Sequence, residues 1–439
     1  MVYTVKDVLS VEVAPALGCT EPIAVALGAA VAVALLPGAA CTGIEVHVDR
    51  NVYKNGVAVV IPGSGGLTGL DTAAALGAVG GNPAAGLEVL ETVDEHAAAK
   101  AREFLEAQGV EVILDHEADG LYVRTVVWTS EHRAESLIRG SHDNIVALKL
   151  DGEDAPLPWS TSNGGEPAGH NKLAEVEEWL RGCSLKALLE LIETMDDDDR
   201  KFIEEGVQLN LCLAEYGLKY GSGLGVGRAL ERLARQRLIK RDMILAARIL
   251  TASASDARMA GAPLPAMSSG GSGNHGLTAI LPIWAVKDYL DCEHAAVIEA
   301  ICLSHMITAY VKAHTGRLSA ICGCSIAAGA GAAAGVAYLL GGTVHHIADA
   351  IKNVVGDLAG VICDGAKPGC SLKLATAAGV ATQAALFAHQ GVSVSSTDGI
   401  VGLSSEQTMQ NVGMLSTEGM IEADRTILNI MLQKTVALE

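Results

Sequence analysis

Residues 318–345 read LSAICGCSIAAGAGAAAGVAYLLGGTVH, and the fold turns on what kind of helix this stretch makes. It is uncharged and long enough to cross a bilayer, as is the uncharged stretch 22–42. Both are built on Ala and Gly rather than on Leu, Ile and Phe, and neither carries flanking aromatic anchors or an Arg/Lys bias. Small side chains let helix backbones approach closely, so both stretches read as buried helices of a globular core.

The periodicity around the quoted stretch predicts further helices at 172–181, 184–195, 199–220, 226–235, 240–257, 277–290, 293–314, 325–340, 344–357, 371–390 and 417–435. Upstream the pattern changes. Helices are expected at 4–14 and 20–36, the latter capped by Thr20 with Pro22 in its first turn. Strands follow at 43–49 and 56–62, with a hairpin suggested at Asn55-Gly56. Helices at 71–80, 94–108 and 131–139 alternate with strands at 110–115, 121–128 and 144–150. Residues 156–171, rich in Ser, Gly, Pro and Asn, read as a linker or lid. The expected fold class is α+β, a small mixed α/β N-terminal region (1–155) packed on a large, mostly helical C-terminal region (156–439).

At 439 residues the chain can bury a large core, and half of it is apolar while aromatics make up only 3%. With 51 acidic against 31 basic residues, a net charge of −20 and no basic stripe, nucleic acid and anionic membranes are poor partners. Residues 1–7 lack the basic-then-apolar order of a signal peptide, so the ten cysteines are expected to be reduced or metal-bound, in the cytoplasm.

Cysteine placement is the main chemical signal. Cys322 and Cys324 stand in the quoted stretch, and Cys363 and Cys370 flank a loop containing Gly365, Pro368 and Gly369 that can fold two thiolates toward one centre. Three thiolates on a four-iron cluster leave one iron open to substrate. On spacing alone the set reads equally as a metal site or as buried thiols, because the gap is outside the usual zinc pattern. Cys41, Cys183, Cys212, Cys292 and Cys302 fall in apolar patterns and read as small buried hydrophobes. Cys19 lies just before a helix, whose dipole should lower its pKa and prepare a nucleophile or base; the alternative is a cysteine that merely sits at a cap.

Ser268-Ser269-Gly270-Gly271-Ser272-Gly273-Asn274-His275-Gly276 precedes an apolar helix and can gather backbone N–H groups into an anion-binding concavity. The glycine run 63–69 lacks the lysine of a phosphate loop and departs from the dinucleotide pattern, and the run 221–227 follows a helix rather than a strand, which argues against a nucleotide fold. Asp196 to Asp199 read as the solvated start of a helix, and His345-His346 as surface. No Ser/His/Asp arrangement can be assembled from the order of residues.

Together, Ala16-Leu17-Gly18-Cys19-Thr20-Glu21-Pro22, Asn51-Val52-Tyr53-Lys54-Asn55-Gly56, Ile61-Pro62-Gly63-Ser64-Gly65, the 269–276 run, Cys322-Gly323-Cys324 and Cys363-Asp364-Gly365-Ala366-Lys367-Pro368-Gly369-Cys370 resemble the iron–sulfur L-cysteine desulfidase family, a relative of the catalytic alpha chain of iron–sulfur L-serine dehydratases. The resemblance implies a 4Fe–4S cluster on three cysteines and no pyridoxal phosphate. Cys363 and Cys370 match two ligand positions; Cys322 is taken as the third, with Cys324 the alternate. Cys19 matches the position that removes the substrate's α-proton, where the dehydratases carry Ser, His and Thr. By motif position Gly271, Ser272, Gly273 and Asn274 would hold the substrate's carboxylate or amine, with Lys54 and Asn55 completing the pocket. The implied reaction is β-elimination of L-cysteine to pyruvate, ammonia and hydrogen sulfide. Alternatives are an L-serine ammonia-lyase on the same cluster and a non-catalytic iron–sulfur or zinc protein. The expected partners are a small amino-acid substrate and a second copy of the chain, as a homodimer.

Overall fold

A computed structural model describes residues 3–38, 41–118, 120–156, 168–316 and 319–436. The N-terminal part runs α1 (Val5–Glu12), β1 (Pro15–Leu17), α2 (Thr20–Leu35), β2 (Gly43–Val48), α3 (Arg50–Gly56), α4 (Leu70–Gly80), α5 (Glu95–Glu106), β3 (Val110–Leu114), β4 (Tyr122–Trp128), β5 (Arg133–Arg139), β6 (Ile145–Leu150) and β7 (Glu153–Asp154). The helical part follows as α6 (Ala168–Arg181), α7 (Leu185–Ile192), α8 (Asp197–Tyr220), α9 (Val226–Arg235), α10 (Met243–Met259), β8 (Pro265–Met267), α11 (Gly273–Val286), α12 (His294–Thr315), α13 (Ala327–Leu339), α14 (Val344–Leu358), α15 (Cys370–His389), α16 (Ser405–Met414) and α17 (Ile421–Val436). A small mixed sheet region thus joins a large helical part, as the expected α+β class requires.

Six strands form one sheet in the order β3-β2-β4-β5-β6-β7, parallel only between β2 and β3. Helix α2 lies against β4 and β5 and packs on α4. Its small residues permit that approach: a Cβ on Gly77 of α4 would stand 2.1 Å from the Ala26 carbonyl oxygen. The same device recurs in the helical part, where a Cβ on Gly335 of α13 would meet the Ala300 carbonyl of α12 at 2.6 Å. Both uncharged stretches are therefore buried helices, α2 and α13. Two other helices, α12 and α15, are long and apolar enough to cross a membrane, and most of each apolar window is buried inside the protein.

Two hydrophobic cores divide the molecule. One gathers Ile23, Leu27, Val46, Leu76, Val123 and Ile138 between sheet and helices. The other fills the helical part, and Val5, Val8 and Leu9 of α1 belong to it. A two-stranded antiparallel pair, β1 with β8, ties the segment ahead of Cys19 to the segment ahead of the 268–276 run.

Several local expectations are corrected. Residues 50–56 form a helix rather than the connection of a hairpin, because Asp49 caps it, accepting from the Asn51 N–H at 2.7 Å and the Val52 N–H at 3.3 Å. The strand expected at 56–62 shrinks to one bridge, Val60 with Thr68. Residues 133–139 form β5 instead of a helix: Ala134, Ser136 and Ile138 are buried in alternation, and Glu135 pairs across the sheet with Arg124 through two hydrogen bonds of 2.9 and 2.7 Å. Helix α16 and strands β1 and β8 were not legible. Most of the 156–171 linker lies outside the described residues, and 168–171 already belong to α6. Among the five cysteines read as buried hydrophobes, Cys302 is buried, Cys41, Cys183 and Cys292 are half-buried, and Cys212 is exposed.

Candidate active site

The segments bearing Cys322 and Cys363 run side by side. Ile321 and Ile362 form an antiparallel bridge, the Cys322 N–H donates to the Val361 carbonyl at 2.9 Å, and the Cys363 N–H donates to the Ala320 carbonyl at 2.6 Å. The loop from Cys363 then turns through Gly365 and returns Cys370 as the first residue of α15. Gly365 has φ +89°, and a Cβ there would stand 2.1 Å from the Lys54 carbonyl oxygen, so the loop is moulded on α3. Asp364 fastens it by ion pairs to Lys367 and Lys373, and Lys373 also donates to the Ile362 carbonyl at 2.7 Å.

One buried cavity of about 80 Å³ collects these thiols. Cys19, Asn55, Gly271, Ser272, Asn274, Cys322, Cys324, Cys363 and Cys370 all line it. Two expected residues do not. Lys54 is buried and ion-paired with Asp424 of α17, and Gly273 is covered by the Arg258 guanidinium. The wall also holds Glu21 and His275 from the quoted motif runs, and residues without a legible motif: His142 from the β5–β6 turn, Arg258, Lys312 and Lys373. A larger neighbouring cavity, about 350 Å³, shares His142 and Gly271 with it.

The electrostatics sort the thiols. Cys324 donates to Cys322, and with help from the Ser325 hydroxyl and N–H this holds the Cys322 thiol below its ordinary range, while Cys324 is driven up. Burial raises Cys363, with the Lys54 charge opposing, and pushes Cys370 up to about 12. At Cys19 the expected depression is overturned. Cys19, not Thr20, occupies the N-cap of α2, and burial pushes its thiol up to about 11 against the opposing charge of Arg258. A helix terminus offers a fraction of a charge, and desolvation of a thiolate outweighs it.

His275 presses on the cysteine loop: a Cβ on Gly323 would lie 2.4 Å from its Nε2. Its Nδ1 is 3.2 Å from the Ser269 carbonyl and donates to it, and burial followed by the Lys312 charge pushes its pKa down to about 3. His275 is thus a neutral ring in a cavity flanked by cations.

Among the described residues no three His, Cys, Asp or Glu side chains close on a single metal ion. The thiols instead line one space from three separate segments, and soft sulfur donors are the kind that iron–sulfur clusters take.

Fold and site together define a class, a two-region protein with a buried, thiol-walled and cation-flanked cavity at their junction. Residues 84–429 match the serine dehydratase alpha chain family, which is associated with iron–sulfur clusters. Over almost its full length the chain is also similar to UPF0597 proteins: 59% identical to one of Desulfatibacillum aliphaticivorans (99% of each chain), 58% to one of Desulfotalea psychrophila (99% of each) and 43% to one of Clostridioides difficile (97% of this chain, 98% of the other). The chain belongs to the UPF0597 family and carries its serine dehydratase alpha chain domain.

Proposed function

We propose that this protein is a β-eliminating lyase that converts L-cysteine to pyruvate, ammonia and hydrogen sulfide. One observation supports this reading above the others: Cys19, delivered by the N-terminal region, lines the same buried cavity as Cys322, Cys363 and Cys370 of the helical region. When bound through those three thiolates, a 4Fe–4S cluster supplies a Lewis-acidic iron with no protein ligand. Cys19 takes the α-proton through its sulfur as the thiolate, a form that burial opposes and the neighbouring Arg258 charge partly restores. The electron pair left on the α-carbon forms the double bond as the β-substituent departs, and the aminoacrylate so released tautomerises and hydrolyses to pyruvate and ammonia. Lys54 and Lys373 set positive charge beside the ligand thiolates.

Pyruvate release by anaerobically reconstituted protein, with L-cysteine and L-serine assayed side by side, tests the proposal. A kcat/KM for cysteine at least about tenfold above that for serine supports the desulfidase; the reverse order makes the protein an L-serine ammonia-lyase, and no pyruvate from either defeats the lyase reading.

A further inference from the structure

Arg258 comes from α10 and is 3% exposed, yet it meets no described carboxylate in an ion pair. One guanidinium nitrogen donates to the Gly18 carbonyl at 2.6 Å, beside Cys19, while Nε has no hydrogen-bond partner among the described residues. Gly273 makes the room: a Cβ there would lie 2.5 Å from that Nε. Arg258 also faces the Cys19 sulfur, but a buried guanidinium nitrogen left unpaired is costly, so the side of the cavity that Nε faces favours an anion. Asn274 supplies the complementary group. It is 4% exposed, its amide nitrogen donates to the Met259 sulfur at 3.6 Å, and its Oδ1 has no partner among the described residues.

An unsatisfied cationic donor and an unsatisfied neutral acceptor on one wall complement a ligand with an anion and an N–H donor on the same carbon. We propose that Arg258 and Asn274 bind the zwitterionic head of an α-amino acid, Arg258 taking the α-carboxylate and Asn274 Oδ1 the α-ammonium. The choice of an amino acid as ligand rests on the lyase reading. Because Arg258 also holds Gly18, carboxylate binding and the position of the Cys19 sulfur are coupled, which makes Arg258 a positioning residue as well as an anchor.

The test uses the full-length reconstituted protein and three unreactive probes in titration calorimetry: L-alanine, which has the whole head, propionate, which lacks the ammonium, and ethylamine, which lacks the carboxylate. Wild type should bind L-alanine about tenfold or more tighter than either fragment. Arg258→Lys and Arg258→Gln should weaken L-alanine and propionate by about ten- to hundredfold and leave ethylamine unchanged; Asn274→Ala should weaken L-alanine and ethylamine and spare propionate. A merely structural role would weaken all three probes alike, and that outcome, or no change, overturns the proposal. Should the Arg258 variants lose their helical circular dichroism, the Asn274→Ala pattern decides on the same terms. If the probe pattern holds while neither cysteine nor serine yields pyruvate, the lyase reading fails and the head-group site stands; pyruvate without the pattern defeats this proposal alone.

Discussion

The two regions bring opposite things to one cavity. The helical part supplies the thiols at 322, 324, 363 and 370 and the cations Arg258, Lys312 and Lys373. The sheet region supplies Cys19, Asn55 and His142. On the proposed reading, the thiols that would hold a cluster all come from the helical part, whereas the proposed base, Cys19, comes from across the junction. The contrast separates cofactor assembly from turnover, and mutations should separate along the same line.

The largest effect is expected in the helical part. Cys363→Ser or Cys370→Ser should abolish the visible absorption of anaerobically reconstituted protein and bring iron far below about four per chain. Iron retained in both variants breaks the assignment. Between Cys322→Ser and Cys324→Ser, only the first should behave in this way if Cys322 is the third ligand, and the reverse outcome moves that role to Cys324, which lines the same cavity.

The junction itself comes next. Asp424→Asn leaves the buried Lys54 ammonium without its carboxylate and should cost about 3 kcal/mol or more, read as a lowered denaturant midpoint. Gly365→Ala drives a Cβ into the Lys54 carbonyl from a left-handed backbone and should lower both stability, by about 1–3 kcal/mol, and iron content. An alanine variant as stable as wild type would show that the cysteine loop is not moulded on α3.

The smallest effect is a difference in sign with pH. Burial raises Asp49, in the sheet region, from 3.8 to about 6, so the folded protein binds the extra proton in that window; the contribution is fullest below pH 3.8 and is lost as pH rises through 6. Burial lowers His305, in the helical part, from 6.5 to about 4, so the unfolded chain binds the extra proton; the contribution is present above pH 6.5 and is lost as pH falls toward 4. Each shift corresponds to roughly 3 kcal/mol. Relative to wild type, Asp49→Asn should therefore gain stability as pH rises from 4 to 7, and His305→Gln as it falls over the same range. Parallel slopes in denaturation midpoints would erase this contrast.

The same division marks what the sequence made legible. Long helices declare themselves, α8 because its apolar positions recur on one face and α12 because its apolar run is too long for a strand. Short elements do not: α3 depends on a single Asp49 cap, and β5 on cross-strand partners distant in sequence. The cysteines at 19, 322, 363 and 370 were readable because thiols are few and their loops carry Gly and Pro. Arg258, Lys312 and His142 were not, since each lies in an ordinary helix or turn and gains meaning only from what folds against it. Lys54 was placed in the pocket by motif position, yet it serves the junction through Asp424. The reversed pKa of Cys19 has the same origin, because burial is a property of the assembled regions.

The central claim, that a base from the sheet region acts at a cluster held by the helical region, is tested most directly by following the substrate's α-hydrogen. Anaerobic Cys19→Ser protein should retain about four irons per chain, lose turnover by about a hundred- to ten-thousand-fold, and fail to exchange the α-hydrogen of L-cysteine with deuterium from solvent, as read by proton NMR. Loss of the iron in this variant, or exchange at the wild-type rate, would contradict the account.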